Sequence, residues 1–221
     1  MATPVCNICG GTRFEDYRGR PAERCAACGG KARHRVVWAA YRALIPHGAR
    51  VLHLAPEACL HDRLRDHVGE GYRTADYAPE RYPHASAMRL RLPEGLPAVA
   101  DGSLDYLIHN HVLEHVPGAF RDWMPDLLAK LAAGGAMIFT VPGPYAIPET
   151  LEGGEKLATD AERLQRFLQE DHVRLFGQDL MPFLRAQQSG RLEPDPVSEA
   201  ERTAIGVRPG KSPVLVWRRD R

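Results

Sequence analysis

A strand–turn–helix–strand stretch from Arg50 to Asp76, RVLHLAPEACLHDRLRDHVGEGYRTAD, constrains the fold of this chain more than any other feature. Val51, Leu52 and Leu54 make an apolar run of strand length, which Ala55 and Pro56 break. Leu60, Leu64, His67 and Val68 then recur at helical spacing within Glu57 to Val68. Gly69 and Gly71 end that helix, Tyr72 to Ala75 reads as a second strand, and Asp76 closes the unit. An acid 20 positions after Pro56 matches the layout of a nucleotide-binding βαβ unit, where a carboxylate accepts hydrogen bonds from both ribose hydroxyls. A dinucleotide fingerprint would place glycines where this chain has Ala55, Glu57 and Cys59. Such a turn suits a ligand with a ribose but no pyrophosphate. The residues alone leave two readings open, a structural crossover or a cofactor site.

Ahead of this unit, Cys6 and Cys9 are separated from Cys25 and Cys28 by 15 residues, a C-x2-C-x15-C-x2-C pattern. The spacing suits two tight knuckles that donate four thiolates to a structural, closed tetrahedral Zn²⁺. Two disulfides would require an oxidising compartment, and no basic-then-apolar leader points to export, so a cytoplasmic location is expected. Cys59 falls outside the set and is read as a small apolar packing residue. Arg33-His34-Arg35 leads into a helix over Val36 to Leu44, which either pins the ribbon to the main body or faces a phosphate or carboxylate. Residues 1–50 carry nine Lys/Arg against three Asp/Glu, whereas the remainder carries 20 against 25. That basic front end belongs to a solvated zinc module or touches an acidic partner such as nucleic acid. No run of about 18 apolar residues suggests a membrane span.

After Asp76 the chain continues through a turn-rich connector, a short strand within Ala85 to Leu92, and a loop over Pro93 to Gly102. Ser103 to His109 (SLDYLIH) reads as a strand, Phe120 to Ala132 as an amphipathic helix capped by Gly134-Gly135, and Ala136 to Val141 (AMIFTV) as a strand. This alternation predicts a parallel sheet covered on both faces.

The stretch SLDYLIHNHVLEHVPG, followed by a helix and LAAGGAMIFTVP, resembles the fourth strand, acidic turn and fifth strand of class I S-adenosylmethionine (AdoMet)-dependent methyltransferases. It is most similar to the group carrying an hvLEHv signature. With the first βα unit, the resemblance spans about Arg50 to Pro142, and the CxxC pairs resemble bacterial members with a zinc ribbon ahead of the catalytic domain. It implies a Rossmann-like α/β fold, a seven-stranded mostly parallel sheet ending in an antiparallel hairpin, here from Ile205–Val207 and Pro213–Arg218. Residues 1–35 would form the ribbon and 36–221 the methyltransferase domain, with a lid at about 142–177. Carried over by position, Asp76, with Tyr77 beside it, would hold the ribose of AdoMet. The backbone around Leu54, Ala55, Pro56 and Glu57 would face its methionine part, Met88 and Arg89 would flank its adenine, and Asn110 and His111 would border the sulfonium and its methyl group. The chain departs from the family where His53 replaces an acid and Ala55 and Glu57 replace glycines.

The cofactor is already activated, so the protein mainly positions the acceptor and removes a proton. His111 is one candidate base, because an imidazole titrates near neutrality. Strand alternation points His109 and Asn110 to opposite faces and argues against a catalytic metal there, while His115 caps or packs the following helix. The segment Pro144 to Lys156, with Tyr145, is Pro/Gly-rich and lid-like. Beyond it, Asp171-His172-Val173-Arg174 resembles a DHvR.yG stretch on the acceptor side of related methyltransferases. His172 is then a second candidate base and Arg174 a carboxylate or phosphate clamp, or else Asp171 caps the next segment and Arg174 merely pairs with an acid. The expected activity is methyl transfer to an O or N nucleophile of a small molecule or modified peptide. An RNA or protein methyltransferase gripping its substrate through the basic ribbon and a non-catalytic AdoMet- or nucleoside-binding module are the alternatives.

Overall fold

The computed structural model describes residues 3–143 and 146–221. Its main sheet has seven strands: β3 (Val51–Leu54), β4 (Tyr72–Asp76), β5 (Met88–Arg89), β6 (Leu104–Asn110), β7 (Leu131–Thr140), β8 (Gly190–Glu193) and β9 (Leu215–Arg219). They lie in the order β5-β4-β3-β6-β7-β9-β8, the first five mutually parallel, β9 antiparallel to β7, and β8 antiparallel to β9. A separate two-stranded ribbon, β1 (Phe14–Tyr17) and β2 (Arg20–Cys25), precedes it. All four residues of β3 are buried, as a strand covered by helices on both faces requires.

One face of the sheet packs Val51, Ile108, Ile138 and Val216 against α1 (Ala32–Leu44) and α2 (Ala58–Val68). The other packs Leu52, Leu107, Met137 and Trp217 against α3 (Phe120–Ala129) and α5 (Leu180–Arg185). Leu60 and Leu64 of α2 are fully buried, each contributing about 1.5–3 kcal/mol of transfer free energy. Cys6, Ile8 and Cys25 belong to the same apolar cluster as Val36 and Tyr41, so the ribbon's inner side continues the main core. Arg35 fastens this junction. It is fully buried, and its guanidinium donates to the carbonyls of Ile205 (2.7 Å), Gly206 (3.1 Å), Glu23 and Gly30 (3.2 Å each).

Two expectations need correction. The hairpin strand beside β9 is Gly190–Glu193, not Ile205–Val207, because Ile205 and Val207 are buried in the ribbon-side cluster after helix α6 (Glu199–Ala204). Gly134 and Gly135 lie within β7 and do not cap α3, which ends at Ala129. A Cβ on Gly135 would come within 2.9 Å of the Asp105 carbonyl oxygen, and the β6–β7 register shifts there between Leu104 and Tyr106. Glycine permits that close, irregular strand pairing. No helix among the described residues is long and apolar enough to cross a membrane.

Candidate functional site

The chain leaves β3 for β4 and β5 on one side, then returns to β6 on the other. This reversal opens a crevice beyond the carboxyl ends of β3 and β6, where ligands bind in open α/β sheets. A cleft of about 300 Å³ occupies that place, bounded by Leu54, Ala55 and Asp76 on one wall and by His111, Val112, His115 and Val116 on the other. Leu90 and Leu92 line its apolar end. Ala55 (φ 51°) and His111 (φ 55°), at the tips of adjacent strands, both adopt left-handed backbone conformations. Such conformations in non-glycine residues concentrate at functional sites. Ala55 thus turns the chain where the family places a glycine, with its N–H donating to the Ala75 carbonyl at 3.0 Å.

Asp76 is 8% exposed, and its Oδ1 accepts from the Ala78 N–H at 2.8 Å. That bond turns the carboxylate at the end of β4, on the cleft wall. Burial and then the Asp76 charge push the nearby Tyr82 phenol up to about 12, so Tyr82 remains a neutral donor beside the acid. An acceptor carboxylate, flanking apolar walls and a cavity at the lower end of the usual ligand-pocket range fit a purine nucleoside such as the adenosyl part of AdoMet. Leu54, Ala55, Asp76, Tyr77 and His111 all face this cleft.

Other expected site residues sit elsewhere. The Pro56 carbonyl is engaged by His84 Nε2 at 2.8 Å. Met88 is exposed, and Arg89 donates to the Tyr77 carbonyl at 2.7 Å and to Glu80 at 2.9 Å. Because β5 is only two residues long, it is the next residues, Leu90 to Leu92, that reach the cleft. Asn110 points into the sheet face under α1, its Oδ1 accepting from Tyr41 and Thr140 hydroxyls at 3.3 Å. Arg174 is no substrate clamp. It is 1% exposed, and its guanidinium donates to the carbonyls of Leu113 (2.6 Å), Val116 (2.9 Å) and Gly118 and to Glu152 (2.7 Å). Tyr145 lies outside the described residues.

Glu57 likewise turns away from the cleft. Its carboxylate sits 3.0 Å from His53 Nε2, whose Nδ1 lies 2.7 Å from the Tyr72 hydroxyl. Tyr72 therefore donates to His53, and His53 to Glu57. Burial, the largest single influence, would raise the Glu57 carboxyl, but the His53 hydrogen bond, the fields of His34 and His53 and a backbone hydrogen bond together outweigh it and hold Glu57 low. His34 approaches the same carboxylate at 3.9 Å, and burial pushes it down to about 3, so it is uncharged at neutral pH. At position 53, where the methyltransferases that the sequence resembles carry an acid, this chain thus has a histidine that leans on an acid four residues later.

Sequence reasoning gave Glu114 no role. The structure buries it to 1% exposure in the turn Leu113–His115 and surrounds it with imidazoles. His111 Nδ1 lies 3.3 Å from its Oε1, His115 Nε2 3.9 Å and His172 Nε2 4.0 Å. Neither carboxylate oxygen has a hydrogen-bond partner. His172, in the segment after α4 (Asp160–Phe167), is itself buried and faces Glu114 rather than lining the cleft. His115 does not cap α3; Glu152 does, accepting from the Phe120 N–H at 2.8 Å. The LEH signature was the available signal, since it places an acid between two histidines.

In the ribbon, Sγ atoms of Cys6 and Cys28 are 3.8 Å apart and those of Cys9 and Cys25 3.6 Å. Tetrahedral zinc with Zn–S bonds of about 2.3 Å needs sulfur–sulfur edges of about 3.8 Å. Gly10 (φ 79°) and Gly29 (φ 71°) close the two knuckles, donating to the Cys6 carbonyl at 2.7 Å and the Cys25 carbonyl at 2.9 Å. The donor set fits a closed structural Zn²⁺ site held by Cys6, Cys9, Cys25 and Cys28.

The chain matches no protein-family model and no curated protein in sequence. In structure it is similar to an AdoMet-dependent methyltransferase from Archaeoglobus fulgidus, at 12% identity and a TM-score of 0.55, covering 85% of this chain and 92% of that one. It is also similar to the CurJ carbon methyltransferase, at 15% identity and a TM-score of 0.50, covering 85% of this chain and 53% of that one. Together with the strand order and the cysteine cluster, these likenesses identify the fold as that of class I AdoMet-dependent methyltransferases, carrying a four-cysteine ribbon at its N-terminal side.

Proposed function

We propose that this protein is an AdoMet-dependent methyltransferase acting on an O or N nucleophile of a small molecule or modified peptide. The observation that carries this reading is the Asp76 carboxylate, buried at the tip of β4 and turned onto the wall of the cleft between β3 and β6. There it accepts the ribose hydroxyls, while Leu90, Leu92 and Val112 exclude water around the purine. AdoMet supplies an activated methyl group, so the chain's task is to orient the acceptor for in-line attack. His111 borders the cleft beside the Glu114 charge, where its imidazole takes the acceptor's proton.

A groove between the ribbon turn and α4 holds Arg18, Arg20 and Arg163 together with Asp160, Glu170 and Asp171. This mixture of signs is a poor match for a polyanion, which favours a modest-sized acceptor over a nucleic acid. Incubation of the full chain with methyl-labelled AdoMet and fractionated cell extract tests the activity. Label transferred to a discrete species supports it, whereas AdoMet binding with no transfer to any fraction favours a non-catalytic nucleoside-binding module.

A further inference from the structure

The cluster around Glu114 lies on the acceptor side of the cleft, and its geometry points to a second metal site: Glu114, His115 and His172 hold one divalent transition-metal ion that takes a hydroxyl oxygen of the acceptor. The assignment begins with an unmet need. Glu114 is 1% exposed, and both of its oxygens lack a hydrogen-bond partner. A buried carboxylate without a partner costs several kcal/mol, so a counter-charge belongs beside it.

The two neighbouring histidines are oriented to ligate and not to donate. His115 Nδ1 lies 2.9 Å from the Asp171 carbonyl, and His172 Nδ1 lies 3.2 Å from the Phe167 carbonyl. A carbonyl only accepts, so each neutral ring keeps its proton on Nδ1 and leaves a lone pair on Nε2. Those Nε2 atoms are the ones that face Glu114, at 3.9 and 4.0 Å. Two imidazole lone pairs pointed at a carboxylate repel one another unless a cation lies between them. A backbone carbonyl on the non-ligating nitrogen is also the usual support of a metal-binding histidine.

The dimensions agree. The three ligand atoms lie within 4.8 Å of one another, with the two imidazole nitrogens 3.9 and 4.0 Å from Glu114, and metal–ligand bonds of about 2.0–2.2 Å would draw them together to separations of about 3.0–3.6 Å. Two imidazoles and one carboxylate suit zinc or iron(II) and leave coordination positions open. His115 borders the cleft, so the open side of the ion faces it.

The role of the ion rests on the methyltransferase reading; the existence of the site does not. A Lewis acid there lowers the pKa of a hydroxyl and fixes its oxygen. The hydroxyl proton passes to His111, the oxygen lone pair forms the new bond to the methyl carbon, and the carbon–sulfur bond breaks with its electron pair onto sulfur. The acceptor is therefore an alcohol, not an amine.

Metal stoichiometry of the full-length protein, equilibrated separately with Zn²⁺ and Co²⁺ and then freed of excess ion, tests the site. About two equivalents are expected, one in the ribbon and one here. Glu114→Gln and His115→Ala should each hold about one, with the cobalt–thiolate absorption of the ribbon retained; His115→Ala decides the matter if Glu114→Gln does not fold. A single equivalent in the unaltered protein with both metals, lost on Cys25→Ser, overturns the proposal, as do two equivalents retained in both cleft variants. AdoMet affinity, measured in parallel, separates the two claims. Two metals without AdoMet binding leave this site standing and remove the methyltransferase reading, whereas AdoMet binding with one metal does the reverse.

Discussion

The Arg174 guanidinium donates to the Leu113 carbonyl at 2.6 Å, and so ties the loop after α4 to the turn that carries Glu114. Its remaining bonds to Val116, Gly118 and Glu152 hold the same turn and the start of α3. Arg174 positions the cleft wall from behind. Arg174→Ala should cost about 2–4 kcal/mol of stability, since it leaves the carbonyls of Leu113, Val116 and Gly118 without their donor. Arg174→Lys should recover little, because one ammonium cannot reproduce the planar fork. Urea unfolding measures both; a variant as stable as the parent chain would return Arg174 to a substrate-facing role.

Asp76 makes a sharper test of the cofactor end of the cleft. Asp76→Ala should weaken AdoMet binding by about 1.5–3 kcal/mol, roughly 10- to 150-fold. The fold should persist, because only the Ala78 turn bond is lost with it. Titration calorimetry reads the affinity, and an unchanged value would take Asp76 out of the site.

Acid should destabilise the protein well before its carboxylates titrate. Burial holds both His34 and His109 down at about 3, against about 6.5 in an unfolded chain. A base whose folded pKa is lowered stays neutral in the fold while the unfolded chain takes up a proton. Its stabilising contribution is therefore complete above about pH 6.5 and is lost as pH falls from there toward about 3. Each histidine gives a slope of up to about 1.4 kcal/mol per pH unit. His109→Met should flatten the fall in unfolding free energy between pH 6.5 and 4.5 by about one such slope; an identical pH profile would show that His109 is not buried neutral.

The ribbon and main core share a boundary, because Cys6, Ile8 and Cys25 pack with Val36 and Tyr41. Cys25→Ser should release zinc and also lower the melting temperature of the whole chain by several degrees, as a loss of about 1–3 kcal/mol would. Unchanged melting alongside released zinc would mean that the ribbon contributes nothing to the main body.

Much of this architecture is legible in the residues. The βαβ unit from Val51 to Asp76 falls where its periodicity places it, and Asp76 stands at the strand tip as the spacing requires. What the sequence conceals is contact between distant segments. Gly190–Glu193 contains one apolar residue, Leu192, so it carries little strand signal, while the more apolar Ile205 and Val207 are drawn under the ribbon by Arg35. A guanidinium such as that of Arg174 looks the same in sequence whether it meets a ligand or a carbonyl. Ala55 adopts a backbone usually left to glycine, which its own residue type hides although its place in the βαβ turn is one where a glycine is expected. Glu114 was visible within the LEH signature, but its encirclement requires His172, 58 residues later.

The most direct measurement is calorimetric titration of the purified full chain with AdoMet and, separately, with its demethylated thioether product. Both should bind at a single site with micromolar affinity, and each should lose affinity when Asp76 is replaced by alanine. Absence of binding by either ligand at millimolar concentration, with the protein folded, would contradict the assignment of the β3–β6 cleft as a nucleoside site.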